Sequence, residues 1–434
     1  MKISIFHPEG NIDNNPNLRA ITEALLSAGH HVTYISNPSP QGGKEITHAA
    51  FTSWCIRPEV PLDVIMHKSD LVIGIDEGII PASRQASKNK SPVLFLSYEI
   101  FYDKELVLWR DKCLKRKMVK ACKNIFCAIT QDAIRAESLA CEFNIAKDKI
   151  ICIPVAGNGC VTRTKNTYLY EHCNIPKDKK ILLHFGSVAS WSMAQWLMQQ
   201  ARNLPKDWVL VIHDRYGTPF GTTLQTKEKL YFSNQPLKHK DLAKIIQSAT
   251  ACAVLYAPQY DSKHTGRNLE EIGFSSGKLS LALQHGIPVV VNMAAHATLV
   301  ATHSCGISII PTSQNPLQYL DECSKIPASS CHDAFIKNLD FSLTKGKFLE
   351  QLENMKDENR STNDDLTTNI CYQKDIIAHL FEKINTANFF YLILQSIKFA
   401  FLFLAEKIHK KTIALVRIIA PQKNELHSPN KEQE

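Results

Sequence analysis

Apolar and polar positions along the chain alternate between two periods. Residues 2–7 are β-rich and alternate, which predicts a buried strand. Residues 18–28 repeat at helical spacing and stop at Gly29, and residues 31–36 predict a second strand. The pattern then recurs. Strands are predicted at 70–75, 92–97, 125–129 and 150–153, with helices at 81–86, 105–120 and 132–143. A polar stretch with two glycines, 154–166, predicts a linker. Beyond it a second series begins, with strands at 180–185, 208–213, 252–256 and 287–291. Helices are predicted at 193–203 and 240–249, and a short helix and strand within 299–310. Two α/β series in tandem predict two doubly wound, Rossmann-like domains facing a cleft, where ligands are favoured.

This organisation places an N-terminal domain at 1–160, a C-terminal domain at 161–352, a polar linker at 353–372 and a helical tail at 373–434. A closing helix is predicted over 333–352 at the end of the second domain. In the tail, residues 389–405 are strongly apolar, with Lys398 near the centre and Lys407, Lys410, Lys411 and Arg417 following. An apolar face edged by lysines describes an interfacial membrane anchor; a hairpin packed on the protein or on a second subunit fits the same pattern. The cationic outer face of 105–120 reads as a solvated surface or, more sharply, as a face toward anionic lipid.

Composition narrows the classes. A chain of 434 residues with 44% apolar content suits two globular domains or slightly more. Its formal charge of +8 is spread over scattered lysines and suits anionic substrates or an anionic membrane, with no basic-aromatic block of a nucleic-acid binder. The 13 cysteines include no Cys-x-x-Cys pair and mostly lie among apolar residues, as in a reducing cytosol. The first residues are too short and too strand-like for a signal peptide. The expected location is therefore cytoplasmic, peripheral at the inner face of the membrane.

The most informative stretch is 273–292. Small residues lead into a helix, Gly286 ends it, and a buried strand follows. Ser275, Ser276 and Gly277 stand where the helix begins, and its unpaired N–H groups and dipole favour an anion. Lys278 adds a full positive charge in the same turn, which is unfavourable for the helix and so points to a bound anion; an ordinary helix start with a surface lysine is the plainer alternative. After the first strand, where a dinucleotide-binding domain would carry Gly-x-Gly-x-x-Gly, residues 7–12 lack that fingerprint. Gly10 and Asn11 still lie at the carboxyl end of that strand, a position for ligand contacts or simply a surface loop.

Taken in series, several segments resemble GT-B-type glycosyltransferases, especially the family-4-like group. They are the strand at 180–187, the strand at 204–213, the segment 246–258, and Asn268 with 272–278 and 286–289. Residues 129–135 and 153–154 of the first domain are similar too. The resemblance spans most of residues 1–350 and implies the GT-B fold. It also implies transfer of a sugar from a nucleotide-sugar to a glycan or lipid-linked acceptor, with retention at the anomeric carbon. Departures are evident. The family's paired glutamates fall on Gly273 and Leu281, and its Arg and Lys on Ser187 and Ser192. An inactive GT-B-fold binding protein and a nucleotide-sugar epimerase of the same shape therefore stay open.

For a transferase, the resemblance and the helix start together place the donor at Gly186, Ser187, Arg215, Tyr256, Ser275, Ser276, Gly277 and Lys278. Lys278 and Glu271 are the candidate catalytic residues, with Glu270 and Arg267 nearby. Gly10, Asn11 and Glu99 are the candidate acceptor contacts. His7 is a candidate base, though a structural histidine suits its position equally. No Asp-x-Asp pair precedes an apolar strand, so no metal and no cofactor beyond the nucleotide-sugar co-substrate are expected.

Overall fold

The computed structural model describes residues 1–8, 12–37, 46–55, 68–214, 229–233, 239–260 and 262–363. Gly10, Asn11, Arg215 and the tail from 364 onward lie outside the described residues.

Among the described residues, thirteen strands form two sheets. The first contains β1 (Lys2–His7), β2 (His31–Ser36), β3 (Phe51–Cys55), β4 (Leu71–Ile75), β5 (Val93–Leu96), β6 (Cys127–Thr130) and β7 (Ile150–Cys152). The second contains β8 (Lys180–Gly186), β9 (Trp208–Asp214), β10 (Leu230–Ser233), β11 (Ala251–Val254), β12 (Val289–Val291) and β13 (Gly306–Ser308). The strand orders are β3-β2-β1-β4-β5-β6-β7 and β10-β9-β8-β11-β12-β13. All pairings are parallel, for example Ile3 with Val32 and Leu183 with Val211. In both sheets the order reverses beside the first strand, and the crevice beyond the carboxyl ends there is where open α/β sheets take ligands.

Each sheet is buried on both faces. In β8 and β9, Ile181, Leu183, Val209 and Val211 enter one core, while Leu182, Leu210 and Ile212 enter the other. In β1 and β4, Ile3, Ile5 and Ile73 face one side, and Phe6 and Val72 the other. Two-sided burial explains why β4, β8 and β9 are largely apolar along their length. β3 and β10 are short edge strands with half-exposed positions, and their weak apolar signal left them unpredicted.

Two departures from expectation bear on function. The predicted closing helix is two helices, Ala328–Asn338 and Ser342–Asn363. Phe341, Phe348, Leu352 and Met355 pack into the core of the first sheet, so the chain crosses back to the first domain. The second helix continues into the stretch expected to be linker. The predicted helix at 105–120 begins only at Trp109 and runs to Cys122, because Leu106 and Leu108 have extended backbone.

Candidate functional site

The helix Gly277–Gln284 starts as the small residues require. Ser276 is its N-cap, its Oγ accepting from Leu279 N–H at 3.2 Å and bonding the Tyr256 hydroxyl at 2.7 Å. The cap satisfies one orphan donor; the Gly277 and Lys278 N–H groups of the first turn have no intrahelical acceptor. Ser276 and Tyr256 are thus committed to building the turn, whereas Gly277 and Lys278 present backbone donors. The Ser275 hydroxyl donates to Ile272 O at 2.5 Å.

Lys278 reaches from this turn toward the end of β8. A Cβ on Gly186 would lie 3.1 Å from Lys278 Cε, and Gly186 has φ of +105°, so a glycine is needed there for both backbone and space. The Trp191 and Tyr256 rings lie parallel, 6.3 Å apart, with Lys278 Nζ 5.8 and 5.5 Å from their centroids. Cation–π attraction at that range is modest and supplies no hydrogen bond. The Lys278 stem keeps some exposure, but its Nζ is covered and has no hydrogen-bond partner. Burial lowers its pKa to about 7. His184 Nε2 lies 3.3 Å from Ser187 O, and its Nδ1 is buried without a partner. Burial first, then the neighbouring Lys278 charge, keep that imidazole neutral. Gly186, Ser187, Trp191, Ser275, Gly277 and Lys278 all retain partial exposure, so the turn is not sealed.

One turn along the same helix, a cavity of about 430 Å³ opens between the domains. Leu281, Gln284 and His285 line it with Pro16, Arg19 and Glu23 of the first domain and Leu242 and Ile246 of the second. Pro16, which lines it, has Cδ 3.7 Å from the Cβ position of Gly277, while Gly277, Lys278, Gly186 and Trp191 are not among the lining residues. Leu281, one of the two positions where the resemblance would have placed a glutamate, contributes an apolar wall.

Across the seam, the carboxyl ends of the first sheet gather acids. Asp76 follows β4 with φ of +46°, and its Oδ1 accepts from the N–H groups of Tyr98 and Glu99 at 2.8 and 3.0 Å. Asp76, Glu77, Glu99, His7, Phe101 and His264 surround a small cavity of about 20 Å³. His7 is buried, bonds Tyr34 at 2.6 Å and is held near pKa 4 by burial, so it is neutral and structurally engaged.

Glu271 is placed elsewhere than at Lys278. Its carboxylate accepts from Tyr102 at 2.7 Å, Ser138 at 2.8 Å and Arg267 at 2.6 Å. The bonds from Tyr102 and Ser138 span the two domains. Beside them the buried Arg135 donates to Gln131, Tyr98 O and both Asn268 oxygens. Asn268 completes a pair of bonds with the Ile100 backbone at 2.9 and 2.7 Å, and Asp132 accepts from Phe274 N–H. This seam fixes the stretch preceding Ser275 against the first domain. Trp191, His184, Arg135 and Asp76 were not singled out for the site from sequence. Trp191, an aromatic in a loop just after a strand, was the one with a visible signal.

No family model matches the chain, and no curated protein matches its sequence. Solved structures do match. HepE of Anabaena in complex with UDP-glucose aligns with a TM-score of 0.61 at 12% identity, covering 82% of this chain and all (100%) of its own. The chain has the GT-B fold. The α,α-trehalose 6-phosphate synthase of Burkholderia multivorans aligns with a TM-score of 0.55 at 8% identity, over 83% of this chain and 99% of its own. An E. coli trehalose-6-phosphate structure bound with UDP-2-fluoro glucose gives 0.52 at 11%, over 81% and 99%. In GT-B terms, the Lys278 turn lies in the second domain and the acid cluster in the first.

Proposed function

We propose that the chain is a glycosyltransferase that takes a sugar from a nucleotide-sugar and passes it to a glycan or lipid-linked acceptor. The observation that carries this reading is the Lys278 ammonium, covered, without a hydrogen-bond partner, and set beside the free N–H groups of a helix start. A buried cation without a partner is costly, and a diphosphate supplies the missing acceptors. The 430 Å³ cavity lined by Leu281, one turn along the same helix, is of a size for a nucleoside. UDP-glucose in the HepE structure of the same fold supports that class of donor.

In this reading the bond from the anomeric carbon to the diphosphate oxygen breaks as the acceptor oxygen bonds that carbon. Negative charge collects on the leaving diphosphate, where Lys278 and the Gly277 and Lys278 N–H groups stabilise it. Gly186 lets the ammonium approach the end of β8, with Ser187 beside it, and Tyr256 holds Ser276 in its cap. Glu99, together with Asp76, faces the acceptor side. Glu271 acts through the seam, positioning residues 267–275. Retention at the anomeric carbon follows from the family resemblance. Metal-independent transfer is part of this reading, on the ground that no Asp-x-Asp pair precedes an apolar strand in the sequence.

The test is thermal stabilisation by a panel of nucleotide-sugars, UDP-glucose first, followed by calorimetry on wild type and Lys278→Ala. A donor that binds wild type and binds the variant at least tenfold more weakly supports the assignment. A donor bound equally by both removes Lys278 from the site. Turnover of that donor without any acceptor would identify an epimerase instead.

A further inference from the structure

The helix Trp109–Cys122 is divided lengthwise. Asp111, Lys115, Met118 and Cys122 are buried on one side. Trp109, Lys112, Arg116, Lys120 and Lys123 are exposed, and their spacing of three and four residues puts them in a single stripe on the opposite side. The buried lysine is the neutralised one: Lys115 pairs with Asp103 at 2.8 Å and with Glu142. Among the described residues, Lys112, Arg116, Lys120 and Lys123 form no ion pair. Between Lys104 and Lys123 there are eight Lys or Arg and only two acids, Glu105 and Asp111, both buried.

Apolar residues stand at the head of this stripe. Val107, Leu108 and Trp109 are 79, 57 and 76% exposed. Among the described residues no other two exposed large apolar side chains are neighbours in sequence. Three consecutive apolar side chains in water are unfavourable, and the inward face of the helix is already filled, so they have no core to enter. A tryptophan wedge flanked by long, unpaired cations matches the chemistry of a bilayer interface, where the ring sits at headgroup depth and lysines meet anionic lipid. A nucleic-acid surface would instead intersperse aromatics among the cations.

We propose that Val107, Leu108, Trp109 and the cationic stripe dock this protein on an anionic lipid bilayer. The segment leading to the wedge, 99–106, begins at Glu99 and Phe101 in the acid-lined cavity, so docking brings that side of the first domain toward lipid. The further consequence, an acceptor held in the membrane, rests on the transferase reading; the docking does not.

The test uses the full chain in flotation with phosphatidylcholine vesicles, with and without phosphatidylglycerol. Wild type floats with the anionic vesicles, and added salt releases it. The combined change Lys112→Ser, Arg116→Ser, Lys120→Ser weakens binding by about 100-fold. Val107→Ser with Leu108→Ser weakens it by roughly tenfold. Trp109→Phe folds and floats but abolishes the vesicle-induced blue shift, which Trp109 dominates among the five tryptophans. Circular dichroism and UDP-glucose stabilisation report folding and donor binding separately from flotation. Wild type that ignores phosphatidylglycerol overturns the proposal. So do both serine variants floating like wild type, which would assign lipid binding to residues 389–419, and capture by heparin without any binding to vesicles.

Discussion

Replacing Lys278 by Met removes the charge and keeps most of the stem, and it should move stability and ligand binding in opposite directions. Burial lowers the Lys278 pKa from 10.5 to about 7. At about 1.4 kcal/mol per unit, the charged form costs the unliganded fold on the order of 4–5 kcal/mol. The unfolded chain holds this proton up to its ordinary pKa, and the folded chain only to about 7. The unfolded state therefore binds more protons within that window, and stability rises with pH across it. Lys278→Met should accordingly stabilise the unliganded protein by up to roughly 4 kcal/mol at and below about pH 7, with the gain fading toward the unfolded pKa. Thermal unfolding would register this as a rise of roughly 5 °C or more. Donor binding behaves inversely. A diphosphate favours the ammonium, so above about pH 7 binding takes up a proton, and the dissociation constant should rise about tenfold per pH unit. The Met variant should bind weakly with little pH dependence. Calorimetry of UDP-glucose in two buffers of different ionisation enthalpy reads the proton directly. A wild-type affinity that is flat through this range, or a Met variant that unfolds at a lower temperature, would refute the reasoning.

Arg135→Met removes the donor to the buried Tyr98 and Asn268 backbone oxygens and should destabilise by roughly 2–4 kcal/mol in chemical denaturation. Gly186→Ala sets a Cβ against Lys278 Cε at a φ of +105°, and calorimetry should show donor affinity falling about tenfold or more. Leu281→Trp intrudes on the 430 Å³ cavity and should abolish nucleotide-sugar stabilisation in a thermal shift assay while leaving vesicle flotation intact. Transfer assayed with excess EDTA should proceed at the untreated rate; a rate restored only by added divalent cation would overturn metal independence.

Much of the fold was legible because its strands are buried on both faces. β8 and β9 read as apolar runs, β1 as an alternating strand, and the glycines at 29 and 286 mark helix ends that the structure places at positive φ. β3 and β10 escaped because edge strands bury less and carry less apolar signal. The helix start at Ser276–Lys278 was legible for a local reason: cap, small residue and charge lie within one turn. Glu271 was not decidable locally, because an acid near a helix start has the same appearance in sequence whether or not it bonds the neighbouring domain, as it does here through Tyr102 and Ser138.

By itself the sequence determined the periodicity of two parallel α/β sheets, the capped turn, and the cationic stripe that follows Trp109. Those depend on neighbours within a few residues, where backbone geometry dictates which side chains share a face. Only the tertiary structure decided that Lys278 Nζ is covered between Trp191 and Tyr256, that Glu271 is taken up by Tyr102, Ser138 and Arg267, and that the helix Ser342–Asn363 crosses back to the first sheet. Whether a charge is solvated, paired or left waiting for a ligand depends on groups far away in the chain, and desolvation arises only once those groups close around it.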